Sequence, residues 1–140
     1  MPDLSRFHDA QAQTFDTALA ELRAGRKRSH WMWYIFPQCA GLGISPTARY
    51  FAIASLTQAR AYLDHPVLGR RLHECVAALL RLEESSAREI FGTPDDLKLR
   101  SCATLFAQVS PPQSDFVTVL DRFYDGQPDP RTLALIEARQ

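Results

Sequence analysis

The sequence predicts an all-α protein, a compact orthogonal bundle of about seven helices around a buried tryptophan-rich segment. Apolar residues recur at steps of three and four along several stretches, which is the spacing of an amphipathic helix. No long stretch alternates between apolar and polar residues as a half-buried strand would. Proline is favoured in the first turn of a helix, and four pairs of a polar residue and a proline mark predicted helix starts: Ser45-Pro46, His65-Pro66, Thr93-Pro94 and Asp129-Pro130.

The elements follow from these signals in chain order. Residues 4–24 predict one amphipathic helix, which Gly25 ends in the left-handed conformation. Residues 46–54 predict a short helix, although Tyr50 to Ile53 also suits a strand. The remaining predicted helices cover residues 56–63, 66–83, 85–92, 94–110, 116–126 and the stretch from Pro130 onward.

The central segment runs from Ser29 to Gln38 and contains both tryptophans of the chain. Its residues 31–36 are apolar or aromatic without interruption, which predicts a segment buried on all sides. Ser29 suits the N-cap of a helix, and Pro37 limits such a helix to about two turns. We therefore expect a short buried helix, with a short strand as the alternative.

The composition is that of one soluble domain spanning residues 1–140. Hydrophobic residues make up 46% and charged residues 23% of the 140 residues, and the formal net charge is zero. Nucleic-acid binding is disfavoured because no overall positive charge would attract a phosphate backbone. No signal segment or membrane-spanning run is present, so we expect a cytoplasmic protein. The three cysteines are far apart in the sequence, which favours buried thiols over disulfides or a zinc site.

These residues support a resemblance to a known family. The matching blocks, which span nearly the whole chain, are residues 7–11, 25–38, 41–43, 61–69 with Arg71-Leu72, Phe91-Gly92 with Asp96, Lys98 and Ser101, and 104–106. They closely resemble the bacterial family of domains of unknown function numbered eighteen-ten, often mislabelled calpastatin. The resemblance implies a compact, mainly helical fold and supplies no reaction. The calpastatin label does not fit, because calpastatin inhibitory regions are disordered and this composition is that of a folded domain.

The first group of candidate site residues surrounds the tryptophans. Cationic groups beside aromatic rings suit a nucleotide, because lysine and arginine pair with phosphate and an indole stacks on a base. The alternative is that the aromatic side chains are core and the basic residues form a solvated turn. The group comprises Arg26, Lys27, Arg28, Ser29, His30, Trp31 and Trp33.

A glycine-containing loop follows, with Gln38, Gly43 and Ser45 as candidates. Glycines allow a ligand close to the backbone, and Ser45 before a helix suits an anion. The alternative is a tight loop in which Ser45 caps the next helix.

Two further groups lie on later helices. His65 with Arg71 suggests acid–base or ligand contacts, against the alternative that His65 caps the helix beginning there. Lys98 and Ser101 share a helix face, and a buried lysine can act as a base, against the alternative of an ordinary surface ion pair near Asp96.

We therefore expect a pocket where the 26–45 segment meets the helices of His65 and Lys98. It would bind a small anionic ligand, a nucleotide or an ADP-ribose-like phosphorylated sugar, and its catalytic candidates are His30, Lys98 and His65. Hydrolysis without a metal or cofactor is the expected chemistry, if the protein is an enzyme. The alternative is a protein–protein interaction module, which predicts an exposed apolar patch and no concave polar cleft.

Overall fold

The computed structural model describes residues 3–138. Over this range it contains ten helices and no strand, apart from an isolated parallel bridge between Cys39 and Ile53. The helices are α1 (Ser5–Ala12), α2 (Phe15–Arg23), α3 (Met32–Ile35), α4 (Pro46–Tyr50), α5 (Leu56–Asp64), α6 (Leu68–Leu80), α7 (Ala87–Phe91), α8 (Asp95–Ala107), α9 (Asp115–Tyr124) and α10 (Pro130–Ala138). The all-α fold class is therefore confirmed.

The expected count of about seven helices is too low for residues 3–138. The long helix expected over residues 4–24 is two helices, because the chain leaves helical geometry at residues 13–14. The Thr14 hydroxyl donates to the Ala10 carbonyl at 2.8 Å, a side-chain bond that competes with the helical pattern. Gly25 follows α2 with φ of 81°, the left-handed conformation expected there.

Hydroxyl caps explain several helix starts. The side chains of Ser45, Ser55 and Ser86 each accept a bond from the backbone N–H three residues on, beginning α4, α5 and α7. Proline takes the first position of α4 and α10, whereas α6 and α8 begin just after Pro66 and Pro94. These two helices begin later than expected because Pro66 and Pro94 lie in the turns that precede them.

The tryptophan-rich segment lies partly in the core. Trp31 is 1% exposed, and Met32, Ile35 and Phe36 are also buried. Trp33 and Tyr34 are only half-buried, so the expectation of burial on all sides is wrong for these two of the residues 31–36. The reason is that α3 is a single turn, in which successive side chains point about 100° apart, so its four side chains cannot all face the core.

Helix α8 carries Lys98, whose ammonium group lies over the Trp33 ring of this segment. It packs against α5, α7, α9 and α10, and its residues 99 and 101–106 are buried. On the far side of the core, α5 and α6 meet closely at Gly69, where a Cβ would lie 2.0 Å from the Leu63 carbonyl oxygen. None of the helices within residues 3–138 is long and apolar enough to cross a membrane.

Candidate functional site

Three adjoining hollows surround the half-buried Trp33. We name each after one of its lining residues: the Arg131 hollow (about 340 Å³), the Lys27 hollow (about 180 Å³) and the Phe51 hollow (about 110 Å³). Trp33 lines all three, Lys98 lines the Arg131 and Lys27 hollows, and Gln38 lines the Arg131 and Phe51 hollows. The indole of Trp33 is therefore the shared wall of one branched cleft.

The Arg131 hollow is the largest of the three and carries a positive charge. Lys98, Arg100 and Arg131 line it, with Asp129 as the one acidic side chain among its lining residues. Arg100 donates to the carbonyls of Gln127 and Pro128, at 2.8 and 2.9 Å, which ties the loop before α10 to α8. Lys98 is already paired with Asp95, so the two arginines against Asp129 leave a net positive charge that attracts an anion.

Asp129, which lines the Arg131 hollow, has a structural role. Its Oδ2 accepts bonds from the Ser101 hydroxyl at 3.0 Å and from the backbone N–H of Thr132 at 3.2 Å. Its own N–H donates to Thr104 Oγ1 at 2.8 Å. Asp129 therefore caps α10 and fastens it to α8, and Ser101 contributes to that fastening.

The Lys27 hollow is built around a carboxylate between two ammonium groups. Asp95 pairs through Oδ2 with Lys27 and through Oδ1 with Lys98, both at 3.0 Å. Burial alone would raise the pKa of Asp95, but bonds from Lys98 and Lys27 outweigh it and lower the pKa below its ordinary value. Two cations and one anion leave a local charge of +1.

Each lysine also lies over one of the two tryptophans. Lys27 Nζ is 5.1 Å from the centroid of the Trp31 ring, and Lys98 Nζ is 4.2 Å from that of Trp33. The chain has only two lysines among its 16 basic residues, and both meet at Asp95. Their side chains differ in exposure, at 9% for Lys27 and 22% for Lys98. Lys98 is thus the more accessible of the two to a ligand.

Gln38 is a buried polar side chain with an unused donor. It is 5% exposed, and its Nε2 has no hydrogen-bond partner. Its backbone is fixed, because the carbonyl accepts from the Ile53 N–H at 2.9 Å in the bridge between residues 39 and 53. Buried amides are normally satisfied, so an unpartnered one beside a hollow is a mark of a binding site.

The Phe51 hollow is lined mainly by apolar groups and loop backbone. Besides Trp33 and Gln38, its walls include Leu42, Gly43, Ala48 and Phe51. A Cβ on Gly43 would lie 2.5 Å from Ala48 Cβ and 3.1 Å from Trp33 Cη2. Glycine at position 43 therefore allows the loop to close against the Trp33 ring, which was not the reason given for it from the sequence.

The sequence analysis missed Glu21, which positions the tryptophan segment. Its Oε1 accepts from the N–H groups of Arg28, Ser29 and the Trp31 indole, and its Oε2 from the Ser29 hydroxyl at 2.6 Å. Burial raises the pKa of Glu21, but these four bonds outweigh it and lower the pKa to about 2. A glutamate on a helix one turn before a basic run offers no sequence signal for such a role.

Several expected site residues lie elsewhere or are already engaged. Ser29 does not cap α3, because its hydroxyl donates to Glu21. Trp31 is too deeply buried for a ligand to stack on it. His65 Nδ1 accepts from the N–H groups of Val67 and Leu68, which confirms its alternative role as a helix cap. Arg71 contacts Gln11 Oε1 at 3.5 Å and lies over the Phe15 ring, outside the three hollows.

The other expected residues do lie together. His30, Lys27, Trp33 and Lys98 line the Lys27 hollow, while Gln38, Gly43, Lys98 and Ser101 line the Arg131 hollow. Arg100, Asp129 and Arg131 complete the second set and were absent from our candidates. Asp129 and Arg131 lie far along the sequence from the tryptophan segment, with no pattern that points to it, and Arg100 lies on α8 beside Ser101.

Two of the buried thiols lack the activation of a nucleophilic cysteine. Burial raises the pKa of Cys75 to about 12 and that of Cys102 well above its ordinary value, so both thiols are protonated at neutral pH. Across residues 3–138, no three His, Cys, Asp or Glu side chains are grouped so that they could hold a metal ion.

A separate and larger groove, about 770 Å³, lies between α1 and α5. Its walls include Leu4, His8, Ala61, His65 and Pro66, and the His8 and His65 rings lie 6.3 Å apart. His65 is the only expected site residue that it contains, so the groove is not continuous with the cleft around Trp33.

Together these features define a small all-helical domain with a branched, cationic cleft around one tryptophan. The chain belongs to the family described as protein of unknown function, DUF1810, whose model matches residues 1–136. It is also similar to the crystal structure, at 1.38 Å, of the conserved hypothetical protein Rv1873 from Mycobacterium tuberculosis. The two share 52% sequence identity over 96% of each chain, with a TM-score of 0.94. No curated protein matches the chain.

Proposed function

We propose that this domain binds a small anionic ligand, of the nucleotide or phosphorylated-sugar class, in the cleft around Trp33. The observation that carries the proposal is the lining of the Arg131 hollow. Three cationic side chains and one unpartnered buried amide, that of Gln38, line one concave space there. A concave site with a few converging polar groups is the usual form of a small-molecule site.

The charges favour an anion with several oxygens. Arginine presents a fixed fork of N–H donors that matches phosphate oxygens, and Lys98 adds a point charge. Asp95 already occupies the space between Lys27 and Lys98, so the Lys27 hollow offers a weaker positive field than the Arg131 hollow. We therefore assign the anionic group to Lys98, Arg100 and Arg131, and not to Lys27 as the sequence suggested.

The proposal covers binding, and hydrolysis of the ligand remains a prediction. Two of the three catalytic candidates, His30 and His65, do not line the Arg131 hollow. Asp129, its one carboxylate, uses Oδ2 to cap α10. Product analysis after incubation of the protein with each bound ligand tests for turnover.

Calorimetry and thermal shift with ADP, ADP-ribose, ribose 5-phosphate and pyrophosphate test the binding proposal. We expect saturable binding that weakens about tenfold in Arg131→Ala, since a hydrogen bond to a charged group is worth roughly that factor. Arg81→Ala is the matched control, because Arg81 is also exposed and lies outside the three hollows. Failure of all four ligands to bind at millimolar concentration would reject the proposal.

The second candidate function is a protein-interaction module. It is supported by three exposed large apolar side chains, Ile44 at 83%, Tyr50 at 60% and Leu97 at 54%. This function also predicts that no concave polar cleft is present. The Arg131 hollow is such a cleft and disagrees with that prediction. Sedimentation of the purified chain over a range of concentrations tests the simplest case, self-association, which Ile44→Ser and Leu97→Ser would weaken.

A further inference from the structure

We infer that the ligand is a nucleotide. Its ring lies in the Phe51 hollow and accepts a hydrogen bond from the Gln38 amide, and its phosphate lies in the Arg131 hollow. This inference rests on the proposed function and narrows it, because phosphorylated sugars without a ring would then bind poorly. The inference is supported by the position and hydrogen bonding of Gln38. It is also supported by the difference in size and chemistry between the two hollows that Gln38 separates.

Gln38 lies at the junction of the two hollows and lines both. A buried amide donor without a partner costs stability, so a purely structural position would favour an apolar side chain of the same size. The backbone of Gln38 is pinned by Ile53, while the last torsion of a glutamine side chain is soft. The amide can therefore turn towards an acceptor atom in either hollow at little cost.

The two hollows differ in size and in chemistry. The Arg131 hollow has about three times the volume of the other and is lined by three cationic side chains, against Arg49 alone in the Phe51 hollow, so it suits the charged and bulkier part of a ligand. The Phe51 hollow is narrow, with Trp33, Phe51 and the loop residues 40–43 among its walls. A narrow space between aromatic groups suits a planar ring.

A nucleotide joins the two kinds of group at the required places. Its ring carries nitrogen and oxygen acceptors at the edge, which an amide N–H can bind, and its phosphate is joined to the ring through the sugar. Lys98 covers one face of Trp33, so the ring would contact the remaining surface of the indole. A sugar phosphate such as ribose 5-phosphate would satisfy the cations but leave the Gln38 amide without a partner.

The test compares AMP with ribose 5-phosphate, which share the phosphate and the sugar. We expect wild-type protein to bind AMP at least about tenfold more tightly in calorimetry, the factor that one buried hydrogen bond and ring contact supply. In Gln38→Met this preference should fall to within about threefold, with the affinity for ribose 5-phosphate unchanged. Gln113→Met is the matched control, since Gln113 lies in an exposed loop.

The outcomes separate this inference from the proposed function. Equal affinity for the two ligands in wild-type protein, or a preference for AMP that survives in Gln38→Met, would overturn the inference and leave anion binding standing. Binding of neither ligand would overturn both. If Gln38→Met does not fold, Gln38→Glu preserves the shape and replaces the donor by an acceptor, and the ratio of the two affinities again decides.

Discussion

The ammonium group of Lys98 lies 4.2 Å above the Trp33 ring while it pairs with Asp95 at 3.0 Å. Lys27 repeats this arrangement with Trp31 and the same carboxylate. The two lysines therefore have matched partners, and what distinguishes them is access. Lys98 lines the Arg131 hollow, whereas Lys27 does not and is less exposed.

This pairing gives a sharp prediction for ligand binding. Lys98→Met should weaken binding of ADP by about tenfold, because it removes one charge-assisted bond to the phosphate. Lys27→Met is the matched control: it removes the same kind of ion pair to Asp95 but should change the affinity by less than about twofold. Calorimetry on both variants provides the measurement, and equal losses would contradict the assignment of the anionic group to the Arg131 hollow.

Glu21 should stabilise the fold through the tryptophan segment. Glu21→Ala removes the acceptor for four donors, including the indole N–H of Trp31, and we expect a loss of about 2 kcal/mol in the free energy of unfolding. Urea denaturation measures this loss. The control is Glu74→Ala, which breaks an exposed pair with Arg70 and should cost under about 0.5 kcal/mol.

The pH dependence of the free energy of unfolding should also reflect the bonds of Glu21. Because the pKa of Glu21 is lowered from 4.5 to about 2 in the folded protein, its contribution is complete above pH 4.5 and is lost as the pH falls towards 2. The free energy of unfolding should therefore fall across this window in wild-type protein and fall less steeply in Glu21→Gln. Denaturation curves at several pH values give both slopes, and identical slopes would contradict the assignment.

We expect the Gln38 side chain to lower the free energy of unfolding. Its Nε2 has no partner in the ligand-free protein, so Gln38→Met, of similar length, should raise the free energy of unfolding by about 1 kcal/mol. The expectation separates a binding residue from a structural one, because loss of a structural glutamine would destabilise the protein. Thermal and urea unfolding of Gln38→Met and Gln113→Met, compared without ligand, make the distinction.

The helices could be predicted from the sequence because their signals are local. Serine caps, proline in the first turn and apolar stripes act within a few residues, and α4, α5, α7 and α10 begin at or beside the positions so marked. The break between α1 and α2 was missed because it depends on one threonine hydroxyl returning to Ala10. In the tryptophan segment the local signal was misleading, because an unbroken run of apolar residues predicted full burial whereas Trp33 is half-buried.

The site was only half predictable because it is assembled from distant parts of the chain. The tryptophan segment and Lys98 attracted attention through their residue types, and the structure places them together. Asp129 and Arg131 join them only because α8 holds α10 beside the cleft, through bonds from Arg100 to the loop at residues 127–128. Glu21 and Lys27 act through contacts with distant residues that no spacing within the sequence reveals, whereas the Asp95–Lys98 pair has the i, i+3 spacing of a helix.

The loop that closes on Trp33 provides the last prediction. In Gly43→Ala, the added Cβ would lie 2.5 Å from Ala48 Cβ, a separation that real atoms do not adopt, so the loop must move away from the indole. We expect a loss of about 1–3 kcal/mol in the free energy of unfolding, the usual cost of overpacking, together with weaker ligand binding and a red shift of tryptophan emission as water reaches the ring.

A second substitution tests whether this contact is the cause. Ala48→Gly removes the atom with which the new Cβ collides, at a cost of up to about 1 kcal/mol for glycine in a helix. The double variant Gly43→Ala with Ala48→Gly should therefore be more stable than the sum of the two single changes predicts, by about 1 kcal/mol or more. Its emission spectrum and its affinity for ADP should return towards the wild-type values. Strict additivity of the two changes would mean that the loop is displaced by some other contact, such as the 3.1 Å approach to Trp33.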